Sequence, residues 1–147
     1  MPDNANIFTH NRVILCHFDS YSAATLFARY GMSVLAPAPL PEGASAIAAP
    51  AEITDQHASE AVIEALITQY SYPPAALAHL DGFQEWMLSD SSLIRIHLLR
   101  FTTLDAPKAA IEPQGGLFKP ISEMRGTPTT ELNLLRKAFD LLMNGGR

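Results

Sequence analysis

Hydrophobic and polar residues alternate most strictly in SSLIRIHLLRFTTL, residues 91 to 104. A period of two is that of a strand, and it sends Ile94, Ile96 and Leu98 to one face and Arg95, His97, Leu99 and Phe101 to the other. Arg100 then falls on the first face unless a bulge between Leu98 and Leu99 shifts the register. Arg12 to Phe18 (RVILCHF) is shorter and β-branched at its start. It reads as a buried strand that ends at Asp19-Ser20. Ser20 to Tyr30 follows as a short helix that packs through Ala23, Ala24, Leu26 and Phe27, with Gly31 placed to stop it in the left-handed conformation. Met32 to Ala36 is read as a second strand, which makes a βαβ-like unit and allows a parallel pair.

Helical spacing marks three further segments. Thr54 is placed to cap a helix from Asp55 to about Gln69, with Val62, Ile63, Leu66, Ile67 and Tyr70 as its apolar face. A second stretch starts at Pro73-Pro74 and buries Leu77, Leu80, Phe83, Trp86 and Met87, with Asp81-Gly82 as a break point. The last helix spans about 128–144: Thr127 as N-cap, Pro128 at the first helical position, Leu132, Leu135, Phe139 and Leu142 inward, and Gly145-Gly146 as the stop. Leu134, Ala138 and Leu141 widen its stripe, which predicts two neighbours. Leu117 to Ile121 is a short strand held to an edge by Pro120.

Residues 37–50 (PAPLPEGASAIAAP) contain four prolines, which rule out a long helix. They are read as an ordered loop, or an edge strand around Ala44 to Ala48, covering a sheet edge or reaching a neighbouring subunit. The pattern as a whole predicts a single α+β domain over residues 1–147. Its sheet is small and mixed, of about three to five strands, with about four helices packed mainly on one face.

Composition bears on partners. Apolar residues make up 48% and charged residues 17%, below the ~25% charge of an average soluble domain. A surface so short of charge is expected to cover apolar area in a homodimer contact. The charges are also sorted, since residues 1–90 hold ten of the fifteen acids but only Arg12 and Arg29 as bases, leaving eight bases for residues 91–147. Opposite fields of this kind pair within the fold, pair across a subunit contact, or present a basic patch to an anionic partner. Cys16 is the only cysteine. It excludes an internal disulfide and a cysteine zinc cluster and points to a reducing compartment. Met1-Pro2-Asp3-Asn4 lacks the positive region of a secretory signal, and no apolar run approaches the ~18 residues of a membrane span. A soluble cytoplasmic protein without a membrane is the expectation.

Candidate chemistry is sparse. Cys16-His17-Phe18-Asp19 offers a thiol beside an imidazole, yet neighbours on a strand point to opposite faces, which favours a buried thiol over a nucleophile. His57, Glu60 and Glu64 share a helical face, but no second Glu/His helix exists to complete a metal site, and a solvated acidic face is favoured. Asp19-Ser20-Tyr21-Ser22 can cap a helix, but it lacks the glycines that let a phosphate approach, and neither a Walker pattern nor G-x-G-x-x-G occurs. No metal and no cofactor are expected.

Arg95, His97 and Arg100 carry more weight, because cations in a strand that wants burial must be solvated, paired with acids or aimed at an anion. Lys119 and Arg125 are placed to join them from the neighbouring loop. Nucleic-acid binding is disfavoured by a net charge of -5 and by scattered bases.

Two functions follow. The first is a non-catalytic interaction or regulatory module acting as a homodimer, with a protein partner. The alternative is a binder or enzyme for a small anionic metabolite. In that reading Arg95 and Arg100 form a clamp, His97 is the acid or base, and His17 or Asp19 assists from the adjacent strand end. The absence of a catalytic motif favours the first.

Overall fold

The computed structural model describes residues 4–19, 24–51, 55–70, 72, 77–80, 82–90, 92–103 and 105–144. Its centre is one seven-stranded sheet built from β1 (Asn11–Asp19), β2 (Ala24–Tyr30), β3 (Ser45–Ile47), β4 (Leu77–His79), β5 (Glu85–Ser89), β6 (Ser92–Phe101) and β7 (Gly116–Pro120). Strand order is β3-β5-β6-β1-β2-β7, with β4 beside β5 along the same edge of β6. Three α-helices accompany it: α1 (Ser59–Tyr70), α2 (Lys108–Ile111) and α3 (Thr129–Met143). Short 3-10 segments stand at Asn4–Thr9, Asp55–His57, Glu112–Gln114 and Ile121–Glu123.

β1 and β6 are the two central strands and the only parallel pair named among the described strands, with Val13 opposite His97 and Cys16 opposite Arg100. Each is buried on both faces over most of its length, the mark of a strand covered on both sides. Ile14, Cys16, Ile94, Ile96 and Leu98 pack under Leu134, Leu135 and Ala138 of α3. Val13, Leu15, Leu99 and Phe101 pack under Val62, Ala65 and Leu66 of α1, together with Phe8 and Ile111. Helices therefore cover both faces of the sheet.

This corrects the expected three to five strands with about four helices mainly on one face. Two segments read as helical account for most of the difference. Ala24–Tyr30 is a strand antiparallel to β1, with Cys16 opposite Phe27. The adjacent pair Leu26-Phe27 suits either period, and pairing with β1 on one side and β7 on the other decides it. Gly31 does take the left-handed conformation, at φ 64, but in the turn between Tyr30 and Ser33 rather than at a helix end. Of the strand expected at Met32 to Ala36, only the bridges Tyr30 to Ser33 and Val13 to Ala36 form, so the βαβ-like unit is instead an antiparallel hairpin.

The segment expected to be helical through Leu77, Leu80, Phe83, Trp86 and Met87 forms β4 and β5. Between the pairs His79–Leu99 and Glu85–Ile96 the chain advances six residues against three on β6. That three-residue excess breaks the alternation and brings both Leu80 and Phe83 to the α3 face. Helical spacing here is the trace of an irregular strand. Asp90, at φ 54, opens the tight connection that returns β5 to β6.

The Pro/Ala-rich segment supplies the edge strand β3, and β7 closes the opposite edge. α3 begins one residue later than expected, after Pro128 at ψ 146, and no side chain caps it. Among the described residues the buried Thr127 hydroxyl has no hydrogen-bond partner, so Thr127 is not the N-cap. Residues 20–23, Thr54, Pro73-Pro74, Asp81 and Gly145-Gly146, which carried helix starts, caps, breaks and stops in the sequence reading, lie outside the described residues.

A discriminating substitution follows from that hydroxyl. Replacing a capping Thr costs about 1 kcal/mol, whereas an unpartnered buried hydroxyl costs stability and its removal is neutral or favourable. Thr127→Val is expected to leave the urea unfolding midpoint unchanged or raise it. Leu98→Ala, in the fully buried α3-side core, is expected to lower stability by about 2 to 5 kcal/mol in the same assay.

Candidate functional site

Asn11, His57, Ser59, Arg95 and His97 are buried polar residues on the face of the sheet that α1 covers. Asn11 opens β1, His97 lies in β6, Ser59 is the first residue of α1, and His79 ends β4. The Asn11 amide nitrogen donates to the carbonyls of Ile7 at 2.8 Å and Gln56 at 2.6 Å. Two carbonyls can be met only by an NH2 group, so Asn11 Oδ1 is the atom that faces His97 Nε2 at 2.7 Å. His97 must then carry its proton on Nε2, and its Nδ1 is an acceptor for Ser59 Oγ at 3.1 Å. With that proton committed, Ser59 Oγ accepts from His79 Nε2 at 2.9 Å. The direction of the whole chain, His79 to Ser59 to His97 to Asn11 to backbone, follows from one amide.

Arg95 lies beside this chain, with Nη1 donating to the His57 carbonyl at 2.9 Å and its guanidinium carbon 5.7 Å from the Trp86 ring centroid. His57 donates to the Leu93 carbonyl at 3.3 Å and packs edge-on against Trp86, with His10 at 5.9 Å on its other side. Burial pushes His97 well below its ordinary pKa of 6.5, and the positive charge of Arg95 and the neighbouring imidazoles act in the same direction. His57 is lowered chiefly by burial as well. His97 is thus a neutral imidazole with both nitrogens engaged and no solvent exposure.

The residues singled out in the sequence do not converge. Arg95 and His97 share the α1 face and are buried, whereas Arg100 is exposed on the α3 face. Register puts Arg100, Cys16, Phe27 and Lys119 in one row across β6, β1, β2 and β7. Three strand spacings separate Arg100 from Lys119, roughly 14 Å, and the ground between them, Cys16 and Phe27, is buried. A single small anion does not bridge that row. Lys119 meets Glu123 at 3.7 Å, and the Arg125 carbonyl accepts a hydrogen bond from Arg29. Lys137 pairs with Glu85 at 2.9 Å, joining the basic and acidic parts of one chain.

His17 is fully buried, donates from Nε2 to the Thr103 carbonyl at 2.8 Å, and lies against Phe118. Its Nδ1 has no hydrogen-bond partner among the described residues. Cys16 faces the opposite side of β1, and Asp19 closes the strand opposite Ala24. Burial pushes the Cys16 thiol up to about 12, against a smaller opposing effect of Arg100. His57 turns inward while Glu60 and Glu64 are exposed, so these three do not gather. Among the described residues no group of three or more His, Cys, Asp or Glu is arranged to hold a metal ion. Among them, too, no helix is long and apolar enough to cross a membrane.

Sequence reasoning missed Asn11, Ser59 and His79. Nothing in their spacing relates them, and the available signal was the presence of His97, beside Arg95, on a strand face that wants burial, which demanded a partner. No protein-family model matches the chain, and no curated protein matches it.

Two measurements test this geometry. A His whose folded pKa is depressed binds protons more readily once unfolded, so stability is full above pH 6.5 and falls as pH drops below it. Urea midpoints measured from pH 8 to pH 4 are expected to hold level to about 6.5 and then decline, and His97→Gln is expected to flatten that decline. Cys16 is expected to resist a thiol reagent in the native protein and to react only on unfolding, because its thiolate is suppressed and its sulfur buried.

Proposed function

We propose that this protein is a non-catalytic interaction or regulatory module that works as a homodimer in the cytoplasm. The observation that carries the reading is the internal use of its acid–base groups. A general base must reach a substrate proton at hydrogen-bond distance, and His97 has no exposed atom and no nitrogen left to offer. Arg95 is likewise turned into the fold.

What the protein offers outward is apolar surface next to cations. Phe18 is 51% exposed, Met32 65% and Leu117 55%, and Leu117 stands opposite Arg29 on neighbouring strands. Large apolar side chains left in water beside basic groups suit a protein contact better than a metabolite pocket. The acidic first part of the chain supplies complementary charge for a second copy.

Native mass spectrometry combined with light scattering on ligand-free protein tests the reading. A dimer without a bound small molecule is expected. Arg125→Glu, at an exposed position, is expected to weaken association severalfold and alter its salt dependence while leaving the circular dichroism spectrum intact. A monomer at every concentration reached, or a stoichiometric small-molecule adduct, would overturn it.

A further inference from the structure

We infer that two copies of the chain join through the free edge of β7, in antiparallel two-fold pairing centred on Phe118. The inference rests on the homodimeric reading and names its surface.

β7 is the last strand in the sheet order, and among the described residues it pairs with β2 on one side only. Which of its backbone groups point outward follows from the neighbouring turn. The N–H and the carbonyl of Tyr30 both bond to Ser33, at 2.7 and 3.0 Å. Neither is left for Gly116, its partner in register, so the Tyr30–Gly116 pair is of the non-hydrogen-bonded kind. Alternation then gives Leu117 and Lys119 the inward bonds to β2 and turns Phe118 and Pro120 to the outer edge, while Gly116, of the same parity, is buried. The proline agrees with this parity, because it has no N–H to give to β2 and needs none at the edge.

A two-fold axis at Phe118 uses these outward groups. Phe118 exchanges both backbone bonds with its copy, and the pairing ends there, because Gly116 is buried and Pro120 has no N–H to give to the carbonyl across from it. Side chains match as well. Each Leu117 lies across from the other chain's Lys119, avoiding a like-charge pair, while Pro120 lies across from a glycine. Phe118 already touches Phe101 and His17, and its copy extends that aromatic row.

The charges along this edge suit a second copy. A cleft of about 190 Å³ runs beside the strand between Lys108, Glu112, Leu117, Phe118 and Lys119. With Glu123 beside Lys119, each copy presents two cations and two anions along this edge, the self-complementary pattern that an isologous contact requires. The other terminal strand, β3, is a three-residue strand with Pro41 and Pro50 close by in sequence, so it has fewer backbone groups to offer.

The test uses charge at the exposed position 117 in the full chain, read by dimer dissociation in light scattering and by hydrogen exchange. Leu117→Lys puts two like-charge pairs across the axis and is expected to weaken the dimer about tenfold, whereas Leu117→Glu faces Lys119 of the other chain and retains or tightens it. The Phe118 amide is expected to exchange more slowly as wild-type concentration rises. A wild-type dimer that neither substitution alters, with Phe118 exchange independent of concentration, would overturn this surface and leave the homodimeric reading standing. A wild-type monomer would overturn both.

Discussion

The side chain of Asn11 fixes the state of the polar groups beneath α1. Its amide nitrogen is held by two carbonyls, which forces its oxygen onto His97, which in turn orients Ser59 and His79. These residues belong to β1, β6, α1 and β4, and the two carbonyls belong to the 3-10 turns Asn4–Thr9 and Asp55–His57. One connected set of hydrogen bonds therefore ties these six elements together on the α1 side of the sheet. A buried network of this kind is costly when any member lacks a partner, and specifies a single arrangement when all are met. The α3 face is positioned differently, by apolar packing with one buried polar tie among the described residues beside the exposed Lys137–Glu85 pair. There Glu131 accepts from the Val34 amide at 2.8 Å and from the Ser33 hydroxyl, and burial raises its pKa.

The same network bears on function. A histidine and an arginine in a strand invite an acid–base or anion-binding reading, and so did the sequence. Geometry separates the three groups that such a reading needs, with Arg95 and His97 inward on one face and Arg100 outward on the other. What remains at the surface among the described residues is apolar residues beside cations and a terminal strand without a second partner, and the proposed association rests on these.

How far the sequence was legible depends on the kind of signal. Strict alternation in β6 located both faces of the central strand, because one strand's period needs no partner to be read. α3 was legible for the same reason, its apolar stripe being continuous over four turns. β2, β4 and β5 were not, since their character comes from pairing with β1 and β6 and from the excess residues between β4 and β5. The polar network escaped as well: residues 11, 59, 79 and 97 are far apart in the chain, and only the closed sheet brings them together. Pro120 and the prolines of 37–50 were informative, because a residue without an N–H marks a sheet edge whatever the topology.

The central claim is that His97 is a neutral, Nε2-protonated imidazole locked between Asn11 and Ser59. Nitrogen-15 NMR of the imidazoles reads both tautomer and charge directly. The account predicts an Nε2–H signal for His97 that stays neutral as pH falls through 6.5 for as long as the protein remains folded. A His97 that carries its proton on Nδ1, or that titrates near 6.5 in the folded protein, would contradict it and return this residue to the candidates for catalysis.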